Sequence, residues 1–377
     1  LTLALSVALV TETFPPEVNG VARTLDRLVS ELRLRSIRVD VVRPRQAAEP
    51  KNQPTNGHAA FRVPGLPLPG YPTLRFGLPV AWRLSRWFRR HRPDVVHIAT
   101  EGPLGWAALL VARRQSLPVT TTFHTNFPEY GRHYGYGEGF AMSYLRAFHN
   151  RAQRTLVPTA ELARSLTARG VERVGVMARG VDCQTFDPAR RSNELRAAWG
   201  LAESDPAVLC VGRLAPEKNV DLLVRLALDL ARDVPRAKLV LVGDGPARRR
   251  LEREIPWAVF AGQRLGDDLA AHYASADVFV FPSLTDTFGN VVPEAMASGL
   301  PVVAFDRGAA RDLVVDEGRV VPEGASAAFC AAAIELTRDA SERRRRGEAA
   351  RRRALGMEWS RIADVFEREL RQAADRA

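Results

Sequence analysis

Cysteine is scarce: the 377 residues hold three, Cys183, Cys210 and Cys330, far apart and flanked by apolar residues or a turn. That excludes a disulfide-stapled fold and the paired-thiolate spacings of metal sites, and a reducing cytoplasm is the expected compartment. Long apolar runs are missing as well. None approaches the roughly 20 residues of a spanning helix. The longest candidate, Leu1 to Val10, has neither a basic leader nor a small-residue cleavage site, so it is expected to be a buried first strand rather than a secretory signal. Aromatic residues make up 7%, with no aromatic RNA-binding signature and no zinc-finger spacing, and nucleic acid is not an expected partner. The Gly-x-Gly-x-x-Gly fingerprint of dinucleotide enzymes is absent. So is Asp-x-Asp, and neither a metal nor another cofactor is expected.

What is present is ordinary globular material, 46% hydrophobic and 26% charged, in a chain long enough for two domains. The net charge of +11 is unevenly spread: residues 1–180 carry 25 Lys and Arg against 12 Asp and Glu, whereas the remainder carries 29 against 31. The basic half suits an anionic substrate or an anionic membrane surface.

Short β-branched runs alternate with helical periods throughout, the pattern of βαβ units. The first half reads as strands at Leu3–Val10, Ile37–Arg43, Val95–Ala99, Val119–Phe123, Thr155–Pro158 and Arg173–Met177. The second half restarts the pattern at Ala207–Gly212 and continues it to Val321. The expected fold class is α/β, with two doubly wound, Rossmann-like parallel-sheet domains facing across a cleft. The break falls near 179–206, giving domains of 1–180 and 181–357. A last amphipathic helix within 358–377, with Ile362, Val365, Phe366 and Leu370 on one face, is expected to return to the first domain. The Pro- and Gly-rich stretch 48–78 is expected to be a long loop.

In such folds ligands gather at the carboxyl ends of the strands. Four segments place chemistry there. Pro282 to Val303 joins a strand to a helix opening near Asn290, so the backbone at Phe288, Gly289 and Asn290 suits a phosphate. Asp286 and Glu294, eight residues apart, are carboxylates that accept hydrogen bonds from a polyol; a turn residue and a helix-capping carboxylate fit the same segment. Arg213 ends a strand, and Lys218 is expected at the start of the next helix. Together they form a cation pair able to anchor a diphosphate, although an Arg and a Lys five apart are usually a solvated face. Gly20 follows the first strand at a helix start, where a phosphate or sugar can approach. His124 ends another strand at the expected cleft lip, where a structural histidine is the other reading.

These motifs resemble those of the retaining glycosyltransferases of family 4. The resemblance runs from Val10-Thr11-Glu12-Thr13-Phe14-Pro15-Pro16 through Phe123-His124-Thr125, Arg179-Gly180-Val181-Asp182, Gly212-Arg213-Leu214-Ala215-Pro216-Glu217-Lys218 and Leu241-Val242-Gly243-Asp244-Gly245-Pro246 to Pro282–Val303. Within the family, Thr285–Ser298 and Thr122–Phe127 look closest to GDP-mannose-dependent α-mannosyltransferases and to enzymes that glycosylate lipids. The resemblance implies the two-domain GT-B fold and a nucleotide-diphosphate-sugar donor, with GDP-mannose favoured over UDP-glucose. It implies transfer with retention to a lipid or glycan hydroxyl. By the same resemblance, Arg213 and Lys218 hold the diphosphate, Glu294 the ribose, Phe288, Gly289 and Asn290 the phosphate and sugar, Gly20 the phosphate from the other domain, and His124 the sugar ring. The base pocket falls near Gly262 and Arg264. The family's Glu-x7-Glu motif places Glu at position 286; this chain has Asp, a carboxylate set back by about one C–C bond, roughly 1.5 Å. A nucleotide-sugar epimerase and a non-catalytic nucleotide-sugar-binding protein are the rival readings.

One further helix carries an expectation. Over Val80–Arg92, Leu84, Trp87 and Phe88 recur at helical spacing beside Arg83, Arg86, Arg89 and Arg90, the composition of a helix lying on an anionic membrane. The other reading is a packed helix with solvated arginines.

Overall fold

Consecutive apolar residues in Ser6–Val10 (β1), every one buried, require cover on both faces, which is the situation of a central strand in a parallel sheet. The computed structural model places it so, and describes residues 5–17, 19–46, 49, 60–68, 71–124, 138–284 and 288–375. The chain divides into two units, Leu1–Arg179 with Trp359–Ala377, and Gly180–Glu358.

The first unit is built on a parallel sheet of seven strands: β1, Arg38–Pro44 (β2), Ala60–Val63 (β3), Val95–Ile98 (β6), Val119–Thr122 (β7), Arg154–Val157 (β8) and Val174–Val176 (β9). They lie in the order β3-β2-β1-β6-β7-β8-β9. The helix Gly20–Leu34 starts at Asn19, whose side chain accepts from the Ala22 N–H, and buries Leu25, Leu28, Val29 and Leu32. Against this face packs the helix Trp359–Ala374, through Ile362, Phe366, Leu370 and Ala373. Burial of Phe366 and Leu370, both at 0% exposure, contributes about 1.5–3 kcal/mol each. Polar pairs fasten the helix further: Arg154 Nε reaches Glu369 at 2.9 Å and Arg35 reaches Asp364 at 3.0 Å.

The stretch expected as a loop contains strands instead. β3 joins the main sheet in parallel with β2, and Gly65–Leu68 (β4) pairs antiparallel with Tyr71–Gly77 (β5). Proline misleads here because a two-stranded ribbon has only edges, where Pro67 forfeits no interior sheet bond.

The second unit has six parallel strands: Ala207–Val211 (β10), Lys238–Val242 (β11), Val259–Gly262 (β12), Val278–Phe281 (β13), Val302–Phe305 (β14) and Gly318–Val321 (β15). Their order is β12-β11-β10-β13-β14-β15. The order reverses between β10 and β13, and in doubly wound sheets the crevice at such a point is the ligand site. Cores fill both faces, one under the helix Asp221–Asp233 and the other under Val291–Ala297 and Ala340–Leu355. All three cysteines are buried and free.

Candidate active site

The ends of β10, β11 and β12 are laced together by main chain. The Gly212 N–H donates to Val242 O at 2.9 Å, Leu214 N–H to Asp244 O at 2.9 Å, and Gly243 N–H to Gly262 O at 2.8 Å. Side chains are excluded from this lacing: a Cβ on Gly243 would stand 1.9 Å from Gly212 O, and one on Gly245 2.4 Å from Leu214 O. On the other side of the reversal point, Gly289 has φ +78°, and a Cβ there would meet the Phe281 ring at 2.8 Å. Asn219 ties the two sides, its Nδ2 donating to Pro282 O at 3.2 Å.

Arg213 leaves the end of β10 with its side chain 59% exposed and paired with Glu217. Lys218, half-buried, does not begin a helix. It closes the 3₁₀ turn Pro216–Lys218, and the helix starts only at Asp221, because Asn219 adopts the left-handed conformation between them. The Phe288 side chain is 2% exposed and belongs to the core, so its contribution to a ligand reduces to backbone. The helix beyond Asn290 spans Val291–Ala297, seven residues, and offers individual N–H groups rather than a long helix's summed dipole. Glu294 lies on it, half-buried, and its Oε2 accepts from the Tyr273 hydroxyl at 3.0 Å. Asp286 lies outside the described residues. At the far side, Gly262 stands beside Arg248, whose Nη1 is 3.4 Å from where a Cβ would be. Arg264 is exposed and paired with Asp268 at 3.0 Å. The structure thus gathers Arg213, Lys218, Gly262, Arg264, Gly289, Asn290 and Glu294 onto the strand ends of one unit. Tyr273, Glu217 and Arg248 were not singled out by the sequence; a buried tyrosine at helical spacing reads as core.

In the first unit Gly20 is the exposed first residue of its helix. His124, just beyond β7, is 7% exposed, and neither ring nitrogen has a hydrogen-bond partner among the described residues. Burial first, then the charges of Arg179 and His97, pushes its pKa well below the ordinary histidine range, so the ring is neutral. The same unit holds further buried polar side chains: Glu101 Oε1, beyond β6, lies 3.2 Å from Nε2 of His149, the last residue of the helix Glu138–His149, and His149 Nδ1 lies 3.0 Å from Thr121 Oγ1 in β7. Glu12 accepts from the N–H groups of Gly77 and Leu104, and burial raises its pKa to about 7.

In the helix Ala81–His91 two of the side chains expected on the membrane face, Arg83 and Trp87, are half-buried in packing contacts. Leu84 and Phe88 are core residues, Trp87 stacks on Phe61 with ring centroids 5.7 Å apart, and Arg83 sits 5.3 Å over the same ring. Packing claims those side chains, so the outward face is Arg86, Arg89, Arg90 and Trp82, the last 71% exposed. Among the described residues no helix is long and apolar enough to cross a membrane, and no group of three His, Cys, Asp or Glu side chains is placed to hold a metal ion.

Two doubly wound parallel-sheet domains, the second with a backbone-lined crevice at its reversal point, define the GT-B class of glycosyltransferase. The solved sucrose-phosphate synthase of Thermosynechococcus elongatus superposes with a TM-score of 0.80, covering 99% of this chain and all of that one at 21% identity. The chain belongs to glycosyltransferase family 4. The Glycosyltransferase Family 4 model matches residues 18–185 and the Glycosyl transferases group 1 model residues 205–339. A GDP-mannose-dependent alpha-mannosyltransferase of Mycobacterium tuberculosis is 39% identical over 95% of this chain and 94% of its own. The GDP-mannose-dependent alpha-(1-6)-phosphatidylinositol monomannoside mannosyltransferase of Mycolicibacterium smegmatis is 30% identical over 97% and 100%. The enzyme is a glycosyltransferase, and nothing in these likenesses favours an epimerase or a non-catalytic binding protein.

Proposed function

We propose that the enzyme transfers a hexose, mannose from GDP-mannose in preference to glucose from UDP-glucose, with retention to a hydroxyl of a lipid or glycan. The observation that carries this reading is the β10/β13 reversal point, where Arg213, Lys218 and Glu294 attend one backbone-lined crevice, in a chain whose relatives include mannosyltransferases named for GDP-mannose. Arg213 forks the diphosphate oxygens, exchanging Glu217 for the ligand, and Lys218 adds a second charge. Glu294 accepts from the ribose hydroxyls. As the anomeric carbon–oxygen bond breaks, negative charge grows on the departing phosphate, where the two fixed cations stabilise it without a metal ion. The acceptor oxygen bonds to the anomeric carbon, and its proton passes to the leaving phosphate oxygen. His124, neutral at working pH, hydrogen-bonds a sugar hydroxyl rather than presenting a charge.

The outward face of Ala81–His91 supports a place for the enzyme on an anionic membrane surface of the cytoplasm, where a lipid acceptor is reached: three exposed arginines and an exposed tryptophan are interfacial chemistry. The deciding experiment is thermal unfolding with GDP and with UDP. A nucleotide at 100 times its dissociation constant stabilises by about 2.7 kcal/mol. A raised midpoint with GDP alone supports a GDP-sugar donor, one with UDP alone replaces the donor, and no response to either overturns the reading.

A further inference from the structure

Behind the carboxylate assigned to the ribose stands a phenol that packing alone does not require. Tyr273, on the helix Gly266–Ala274, is 0% exposed. Its ring is fixed edge-on to Phe186, with centroids 5.5 Å apart at 86°, and tilted against Phe279 at 5.7 Å. In such surroundings a phenylalanine would fill the volume, and a hydroxyl is costly unless bonded. This hydroxyl is aimed out of the core at Oε2 of Glu294, 3.0 Å away on another helix. We infer that Tyr273 is a positioning residue for donor binding: its hydroxyl fixes the carboxylate of Glu294 in the plane that receives the vicinal hydroxyls of the donor ribose. The inference rests on the assignment of Glu294 to the ribose.

A half-buried glutamate has three side-chain torsions to lose when it grips a diol, and a rigid donor behind it removes much of that loss before the ligand arrives. The tyrosine itself takes one of about four lone-pair sites on the carboxylate. Burial, then the charge of Glu294, pushes the phenol pKa well above its ordinary value. The group therefore stays a donor wherever Glu294 is ionised.

Tyr273→Phe removes the hydroxyl and keeps the ring. The probes are GDP and 2′,3′-dideoxy-GDP, with the UDP pair run in parallel. In Tyr273→Phe, affinity for the ribonucleotide falls about 3- to 10-fold. Affinity for the dideoxy compound is unchanged, so the ribose preference shrinks by the same factor. In transfer assays the donor KM rises with kcat held within about twofold, the sign of lost ground-state binding. Glu294→Gln separates the two claims. If it keeps the parent's ribose preference, or the parent has none, Glu294 is not the ribose carboxylate and the inference falls with that assignment. If Glu294→Gln loses the preference while Tyr273→Phe retains it, or weakens both nucleotides equally, the assignment stands and the positioning role is overturned.

Discussion

The two units share a topology and differ in what fills their strand ends. In the second, backbone meets backbone: Gly243 and Gly245 leave no room for a side chain, Gly212 and Gly262 hold positive φ, and cations stand at the rim. In the first, buried polar side chains gather instead: Glu12, Glu101 and His124 just beyond the ends of β1, β6 and β7, and His97 within β6, with threonines between them. His97 lies 2.9 Å from Thr120 Oγ1, and burial depresses its pKa to about 3. The rim cations suit an anion, whereas the buried, neutral imidazoles of His97 and His124 and the threonine hydroxyls suit a partner that offers and accepts hydrogen bonds. One sheet plan thus carries cations at the strand ends of the second unit and neutral imidazoles and hydroxyls in the first.

The largest expected effect tests the rim cations. Arg213→Ala or Lys218→Ala removes a charge from the leaving diphosphate and costs about 2–4 kcal/mol of transition-state stabilisation, roughly 30- to 1,000-fold in kcat/KM. Steady-state kinetics at saturating acceptor reads this directly. If both variants turn over like the parent, the contrast between the units is one of packing alone.

How far the contrast was legible in the sequence depends on which side of it a residue lies. Glycines and cations at strand ends leave a linear mark: Gly212-Arg213 and Phe288-Gly289-Asn290 could be placed from the strand-to-helix pattern, and Gly243-Asp244-Gly245 belongs to the family resemblance. Support from another element leaves none. Tyr273 behind Glu294 and Glu12 under Leu104 are juxtapositions made by folding. The strands were legible because parallel sheets bury both faces and concentrate β-branched residues. The helix Ala340–Leu355 was harder, since its inward face is Arg346, Gly347, Ala350 and Ala354. Arg346 donates to Asp316 O and Gly318 O, and Gly347 passes so close to Gly299 that a Cβ would lie 2.2 Å from its carbonyl oxygen. A charged sequence buried by hydrogen bonding carries no apolar period.

A second experiment tests the basic character of the first unit. At about 1 kcal/mol per basic residue near an anionic surface, Arg86, Arg89 and Arg90 supply about 3 kcal/mol, roughly 150-fold in partitioning. The triple serine variant is expected to stop sedimenting with phosphatidylserine-containing vesicles while retaining transfer to a soluble acceptor. Equal sedimentation of variant and parent assigns the exposed arginines to solvent and favours a soluble glycan acceptor.

The smallest effect reaches the filled strand ends themselves. Burial raises the Glu12 pKa from 4.5 to about 7, outweighing the N–H groups of Gly77, Leu104 and Gly105 that lower it. A raised carboxyl pKa means that the folded state holds a proton the unfolded chain releases. Its stabilising contribution is complete below pH 4.5 and declines as pH rises, levelling off above about 7. The whole loss is about 3 kcal/mol, of which about 1 kcal/mol falls between pH 6 and 8. Glu12→Gln cannot ionise; it keeps one oxygen to accept from Gly77 or Leu104, which bond different carboxylate oxygens in the parent, and the bond it loses is a constant offset that does not vary with pH. Urea unfolding of parent and variant across that window is therefore expected to show the parent losing stability relative to the variant by about 1 kcal/mol, with every other titrating group cancelling in the difference. A difference that does not change with pH would mean that Glu12 is ionised throughout. The first unit would then carry a fixed negative charge beyond β1 throughout that window, a charge that repels an anionic acceptor.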